Sequence, residues 1–238
     1  MPLYLRPHAD VAERVLLPGD PGRALRLAQQ LTDQPKMLNH QRGLWGYTGV
    51  AADGEPLTIQ STGLGGPSAA IVVQELIGLG ARRLVRVGTC GALADLPLGS
   101  LVIAEAVEAQ DGASRRLGAT GVLPADGELL TALRAAGNGA ASGVVVSTDL
   151  YYAPAPASDA LAVDLTSVAL FAVAARHGVA AACVLAVADR LPAGDRIDPD
   201  ALEQAEAELG RVGAAAVTPR SAREPRTPPA GPRPAPRS

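Results

Sequence analysis

The chain has 238 residues, of which 47% are hydrophobic but only 3% are aromatic, and its formal net charge is −3. This length fits one α/β domain with a substantial aliphatic core, and the charge shows no basic footprint for nucleic acid. No apolar run of about 18 residues and no signal-peptide pattern is present. We therefore predict a cytoplasmic protein that has neither a nucleic-acid nor a membrane partner.

The first part of the chain predicts a strand, a helix and a hairpin. Residues 14–17 are typical of a short buried strand, and residues 21–30 of a helix whose N-cap is Asp20. Residues 45–50 and 57–61 flank an Asp-Gly pair, which favours a β-hairpin.

Residues 61–91 place a glycine turn, a helix and an arginine-bearing strand in immediate succession. The helix is predicted from Pro67 to a stop at Gly80. The strand that follows, residues 84–87, is apolar except for Arg86, and it ends at residues 88–91 with a hydroxyl and unhindered backbone N–H groups. Because an unpaired charge is costly to bury, this unit predicts a site for an oxyanion such as phosphate.

This unit is open to two other interpretations. The glycine cluster is also compatible with an ordinary strand-to-helix turn. As a dinucleotide fingerprint it is poor, because Ser68 stands at the third glycine position. About twenty residues further on, Arg82, Arg83 and Arg86 stand where an NAD site needs an acid. NAD binding is therefore not favoured.

The remainder of the chain continues the alternation. Strands are predicted at residues 100–109, 143–148 and 181–188, and helices at residues 127–136, 164–176 and 199–217. The pattern predicts a single α/β domain, with a mixed, largely parallel central sheet flanked by helices. In such sheets, binding sites gather where strands end.

The carboxyl end differs in composition. Residues 218–238 contain five arginines against one glutamate, many prolines and almost nothing apolar to bury. We predict a folded domain over residues 1–217 and a disordered tail over residues 218–238. Contact of this basic tail with the acidic body is one interpretation, and a solvated extension without function is the simpler one.

The two cysteines, Cys90 and Cys183, lie in apolar segments without metal-ligand spacing. We predict that both are small core residues, with no disulfide framework and no metal site.

Several segments in register resemble the purine nucleoside phosphorylase and uridine phosphorylase superfamily, in the branch usually built as hexamers. The match runs from about residue 11 to about residue 190 and rests on residues 17–24 (LPGDPGRA), 39–49 (NHQRGLWGYTG), 86–92 (RVGTCGA) and 147–152 (STDLYY). The resemblance implies the nucleoside phosphorylase fold and a homo-oligomer, either dimer or hexamer. It also implies inorganic phosphate as co-substrate and no cofactor.

The resemblance assigns phosphate binding to Gly19, Arg23, Arg86 and Thr89, with Arg42 donated by a neighbouring subunit. Arginines suit this task, since they hold phosphate bidentately and keep their charge.

For the base, the resemblance implies that Tyr151 stacks on the purine and that Asp189 protonates its N7. Taken alone, Tyr151 is also compatible with a core position, and Asp189 with a helix cap or an ion pair to Arg190. Arg196 is a speculative substitute for the arginine that the purine enzymes place beside this aspartate.

The sugar side departs from the family pattern. The family commonly has Glu-Met-Glu here, and its second glutamate grips the ribose hydroxyls, whereas this chain has Asp164, Leu165 and Thr166. Leu165 and Thr166 are expected to face the sugar, and Asp164 is a candidate N-cap. His8 resembles a histidine that reaches a neighbour's sugar, and it is equally compatible with a surface position.

The leading hypothesis is phosphorolysis of purine nucleosides to free base and ribose or deoxyribose 1-phosphate. Residues 65–68 and 111–114 look more like the uridine enzymes, but residues 153–156 lack the Gln-x-Arg pair that reads uracil. A third hypothesis is a family member that binds nucleoside or phosphate with little turnover, because Thr166 makes activity uncertain. A nucleosidase that uses water is less favoured, since three phosphate-type arginines would then lack a purpose.

Overall fold

The fold is described from a computed structural model, which covers residues 2–191 and 194–218. The strands are β1 (Arg14–Leu17), β2 (Thr32–Asn39), β3 (Gly46–Ala51), β4 (Pro56–Gln60), β5 (Arg83–Ala92), β6 (Leu101–Ala109), β7 (Val122–Pro124), β8 (Ala141–Ser147), β9 (Ala162–Asp164) and β10 (Ala180–Arg190). The helices are α1 (Pro21–Leu31), α2 (Gly65–Gly78), α3 (Gly112–Arg116), α4 (Gly127–Ala136), α5 (Ser167–His177) and α6 (Pro199–Val217).

The strands form one mixed sheet, ordered β10-β6-β8-β9-β5-β1-β4-β3-β2, with β7 on β6. Because β10 also pairs with β5, the strands β5, β9, β8, β6 and β10 close on themselves. Strand β5 is parallel to both β1 and β10, whereas β2, β3 and β4 form antiparallel pairs at the edge. The predicted α/β domain with a mixed sheet flanked by helices is confirmed.

Two apolar clusters cover opposite faces of this sheet. One contains side chains of α2 and α5, and the other contains side chains of α1, α4 and α6. Along β5, Leu84 belongs to the first cluster, whereas Val85 and Val87 belong to the second. Since side chains alternate along a strand, Arg86 points to the same face as Leu84, toward α5.

Two predicted boundaries were wrong, both beside the candidate site. Strand β5 continues to Ala92 rather than ending at Val87, because β10 pairs along its whole length and β9 adds a second partner at its end. Helix α5 begins at Ser167 rather than Asp164, because residues 162–164 pair with β5 and β8 as β9.

The sequence analysis did not predict β2, β7, β9 or α3. Strand β2 is polar, contains Pro35, pairs irregularly with β3 and includes Gln34 at a φ of 44°. Such a segment lacks the alternation of apolar and polar residues by which a strand is identified in a sequence. It is a strand because it pairs with β3.

Residues 219–238 of the predicted tail lie outside the described residues. Within the described ranges, none of the helices combines the length and the apolar character needed to cross a membrane.

An ion pair joins the start of β1 to the turn between β3 and β4. Arg14 is buried, and its guanidinium donates to both carboxylate oxygens of Asp53 and to the carbonyls of Glu55 and Pro56. Hydrogen bonding from Arg14 lowers the pKa of Asp53 to about 2. The positive charge of Arg14 on β1 therefore stabilises the hairpin formed by β3 and β4.

We expect Asp53→Asn to lower the free energy of unfolding by about 1–3 kcal/mol near neutral pH, because Arg14 stays buried without its counter-charge. The pKa of Asp53 is depressed in the folded state, so its contribution is complete above its unfolded value of about 3.9 and is lost as the pH falls toward 2. Urea unfolding of both proteins at about pH 7 and pH 3 measures the difference. A difference that stays constant with pH contradicts this account, and Glu55→Gln, at an exposed carboxylate, is the control.

Candidate active site

The candidate phosphate segments meet at the carboxyl ends of parallel strands. Leu17 of β1 pairs with Arg86 of β5, so the loop that begins at Pro18 starts beside this arginine. In that loop, the carbonyl of Gly19 accepts a hydrogen bond of 3.1 Å from the N–H of Gly63. The structure therefore places the first glycine loop, the glycine turn before α2 and the end of β5 side by side.

Arg86 is held by one edge of its guanidinium. The side chain is buried, and its Nε donates to Oδ2 of Asp164 at 3.0 Å. Its Nη1 is buried and has no hydrogen-bond partner among the described residues. A Cβ at Gly88 would lie 2.7 Å from the Arg86 Cζ, so the guanidinium lies back over this glycine. One edge is fixed by a carboxylate, and another N–H remains available to an anion.

Asp164 is the centre of a buried hydrogen-bond network. Its carboxylate accepts from the Ser147 hydroxyl at 2.5 Å, from the Ser167 hydroxyl at 2.6 Å and from the Ser167 N–H. Asp164 therefore caps the first turn of α5, although Thr166 occupies the N-cap position. The sequence predicts an oxyanion as the partner of Arg86. At the Nε of Arg86, that partner is the carboxylate of Asp164.

Arg23 occupies the first turn of α1 and is likewise buried. Its N–H donates to the predicted cap Asp20, and its Nη2 donates to Oε1 of Glu206 on α6 at 2.6 Å. Its Nε is buried without a partner. Arg26 binds the other oxygen of Glu206. Burial opposes ionisation of Glu206, but these two arginines hold its pKa below the ordinary value.

Sequence reasoning missed Glu206. The signal was present, because helical spacing places it on the same side of α6 as the buried Leu209 and Gly210. A carboxylate on the buried face of a helix needs a cationic partner.

The remaining phosphate candidates differ in position. Gly19 and Thr89 are half-buried, and Thr89 pairs with Ala186 of β10. Arg42 is exposed, has a φ of 59° and places its guanidinium 5.4 Å from the ring centroid of Tyr4. Arg42 is therefore presented outward.

His8 is exposed and stacks on His40 with ring centroids 5.3 Å apart. In the part of the chain that the structure describes, no hydrogen bond joins His8 or Arg42 to Arg23 or Arg86. Within one chain, His8 and Arg42 are therefore not joined to the buried arginines of the predicted site.

Asp189 lies near the end of β10, with 15% of its side chain exposed. The Tyr151 hydroxyl donates to its Oδ2 at 3.0 Å, and Nε of Arg196 lies 3.5 Å from its Oδ1. Arg190 pairs instead with Asp195. Burial and the hydrogen bond to Asp189 raise the pKa of Tyr151. The structure therefore does not contain the alternative ion pair between Asp189 and Arg190. The arginine beside the Asp189 carboxylate is Arg196.

The sugar candidates lie at the start of α5. Thr166 is buried, and its side chain makes no capping hydrogen bond. Leu165 is half-buried, and its carbonyl lies 3.9 Å from the position that a Cβ at Gly65 would take. The residues between β9 and α5 therefore lie beside the glycine turn, and Thr166 brings a hydroxyl but no charge.

Cys90 and Cys183 are free and buried, as predicted. Burial raises the pKa of both thiols, that of Cys183 to about 12, so both stay neutral near pH 7. Among residues 2–191 and 194–218, no group of three or more His, Cys, Asp or Glu side chains is placed to hold a metal ion.

We expect Asp164→Asn to lower the free energy of unfolding by about 3 kcal/mol, because it leaves the Arg86 charge buried without a counter-charge. Ser167→Ala removes hydrogen bonds but keeps the ion pair, so it should cost about 1 kcal/mol. Urea unfolding of the three proteins measures both losses. A loss in Asp164→Asn no larger than that in Ser167→Ala contradicts the importance of the charge.

Comparison with known proteins places the chain in a family. Residues 13–218 match the model of the phosphorylase superfamily. A DeoD-type purine nucleoside phosphorylase of Caldanaerobacter subterraneus subsp. tengcongensis is 36% identical over 202 residues, which cover 78% of this chain and 86% of that protein. A guanosine phosphorylase of Halorubrum lacusprofundi is 35% identical over 213 residues, which cover 84% and 87%. The resemblance found in the sequence is confirmed, and the chain belongs to the phosphorylase superfamily.

Proposed function

We propose that this protein cleaves purine nucleosides with inorganic phosphate, releasing the free base and ribose or deoxyribose 1-phosphate. The observation that carries the proposal is the pair of buried arginines, Arg23 and Arg86, each with a buried N–H that has no partner within the described residues. Such groups are costly unless a ligand satisfies them. The names of the similar proteins, purine nucleoside phosphorylase and guanosine phosphorylase, support the same substrate class.

The first proposed role is to hold phosphate as the nucleophile. The Arg86 Nη1 and the Arg23 Nε would donate to its oxygens, together with the Thr89 hydroxyl and the N–H of Gly19. Asp164 and Glu206 restrain the two guanidinium groups beforehand. Restrained donors lose little entropy on binding, so the phosphate can be desolvated and aimed at the anomeric carbon.

The second proposed role is departure of the base. Asp189 would protonate N7 of the purine, which makes it a better leaving group as positive charge develops on the sugar. The Tyr151 ring would stack on the base, and its half-exposed position leaves one side of the ring accessible. No Gln-x-Arg pair follows in residues 153–156, so a pyrimidine substrate is not favoured.

The third proposed role is to hold the sugar, through Thr166, Leu165 and the His8 of a second copy. A threonine hydroxyl can bond a ribose hydroxyl but does not stabilise a cationic sugar. We therefore expect slow turnover. The reaction needs no cofactor besides phosphate as co-substrate, and the cytoplasmic location stays a prediction.

We also propose a homo-oligomer, dimer or hexamer, in which Arg42 completes the phosphate site of a neighbour. Arg42 is exposed, and apolar side chains around its loop are exposed with it. Tyr4, beneath its guanidinium, is 38% exposed, Trp45 is 38% exposed and Leu64 is 90% exposed. Exposed apolar side chains together with an exposed arginine suit contact with a second copy of the chain.

The direct test is base release from inosine, guanosine, adenosine and uridine, each with and without phosphate. We expect release that requires phosphate and is faster for purines than for uridine. Arg86→Ala should reduce kcat/KM by about 100-fold, because it removes a charged donor from the reacting phosphate. Arg116→Ala, at an exposed arginine, is the control. Release that is unchanged without phosphate would falsify the proposal.

A second arm of this assay tests Thr166. If the missing carboxylate limits turnover, Thr166→Glu should raise kcat about tenfold, whereas the similarly sized but uncharged Thr166→Gln should not. Thermal stabilisation of the natural protein by nucleoside and phosphate, with no turnover in any variant, would instead identify a binding protein.

The shared site predicts complementation between two inactive proteins. Arg42→Ala and Arg86→Ala should each be nearly inactive alone. Co-expressed chains that pair at random should recover about a quarter of the natural activity, because each mixed pair contains one intact site. Sedimentation velocity gives the oligomeric state in parallel. Monomers, or mixed pairs without recovered activity, contradict the shared arginine.

A further inference from the structure

The two oxygens of the Asp189 carboxylate face different donors. The Tyr151 hydroxyl donates to Oδ2 at 3.0 Å, while Nε of Arg196 lies 3.5 Å from Oδ1. Asp189 and Arg196 also form a backbone bridge, so this arginine is held beside the carboxylate by the main chain as well. The orientation of the carboxylate is thus set from two sides.

The Tyr151 hydroxyl is separate from the part of the side chain that would stack on a base, since stacking requires only the ring. Tyr151 is 50% exposed and tied to Asp189, whereas its neighbour Tyr152 is 97% exposed and meets the Tyr151 ring edge-on at 5.0 Å. Tyr151 is therefore the more buried of the two adjacent tyrosines and the one whose hydroxyl donates to the carboxylate.

This hydrogen bond also fixes a loop. Tyr151 lies in residues 148–161, which contain no helix or strand and connect β8 to β9. One end of the loop is held by Asp149, whose carboxylate accepts from the N–H of Gly112 at 2.7 Å. The Tyr151 hydroxyl adds a tie to the end of β10, so the ring and the carboxylate are placed relative to each other.

We propose that the Tyr151 hydroxyl positions Asp189 and stabilises the carboxylate that forms when Asp189 gives up its proton. The inference rests on the proposed function. In that step the O–H bond of Asp189 breaks and an N–H bond forms at N7, while the electron pair of the glycosidic bond stays with the base. Negative charge then develops on the two oxygens of the Asp189 carboxylate, and the hydroxyl already donates to one of them, Oδ2. A hydrogen bond to a developing charge is stronger in the transition state than before it.

The test compares Tyr151→Phe, which keeps the ring and removes the hydroxyl, with Tyr152→Phe as the matched control. Inosine needs a proton at N7 to leave, whereas 7-methylinosine carries a positive charge there and leaves without one. For Tyr151→Phe we expect kcat with inosine at about pH 6 to fall about tenfold. The loss with 7-methylinosine should be at least fivefold smaller, and KM for inosine should change less than threefold. Tyr152→Phe should change neither substrate.

Equal losses with both substrates, or no loss with either, would overturn the role of the hydroxyl while the proposed function stands. Absence of phosphate-dependent release by the natural chain from either substrate would overturn both.

Discussion

The burial of Arg86 is the constraint on which the rest of the site depends. A guanidinium within an apolar strand is tolerated only when its charge is compensated, and Asp164 compensates it from the end of β9, just before α5. That carboxylate is in turn held by Ser147 of β8 and Ser167 of α5. The ion pair and these hydrogen bonds thus connect strands β5, β8 and β9 with helix α5, and Nη1 of Arg86 is left without a partner among the described residues.

The same arrangement recurs at Arg23, where Glu206 of α6 plays the part that Asp164 plays for Arg86. In both cases a carboxylate of the protein restrains a buried arginine, and a buried guanidinium nitrogen has no hydrogen-bond partner within the described residues. Compensation by carboxylates lowers the cost of burying each of these positive charges before an anion arrives. It also makes these acids part of the site, although neither is expected to touch a substrate.

The two halves of the proposed site are built differently. On the phosphate side, charges are buried, paired and fixed by secondary structure. On the side of the base and sugar, Tyr151 lies on an irregular loop, Thr166 has no charge and Asp189 is partly exposed. The proposed phosphate binding therefore depends on buried ion pairs, whereas the proposed leaving-group chemistry depends on a few groups outside such buried pairs. The contact between Tyr151 and Asp189 is therefore important, because it restrains two of them at once.

Local patterns in the sequence determined most elements of the fold. The Asp20 cap, the Asp-Gly hairpin, the helix over Gly127–Ala136 and the helix over Pro199–Val217 all follow from residues close in the chain. Strand β2 does not, because its residues lack a strand pattern of their own and only pairing with β3 defines it. The extension of β5 to Ala92 does not either, because it depends on pairing with β9 and β10, which are distant in sequence. Family motifs likewise indicated the phosphate arginines and Asp189, whose roles stay proposals.

Which charges meet was decided only by the tertiary structure. Arg86 and Asp164 are 78 residues apart in the chain, and Arg23 and Glu206 are 183 residues apart. Sequence alone showed that a buried arginine needs a partner, and helical spacing placed Glu206 on a buried face. Neither pattern states which strand or helix supplies the partner of the charge. The packing of the sheet and helices decides this, because it determines which side chains come within hydrogen-bond distance.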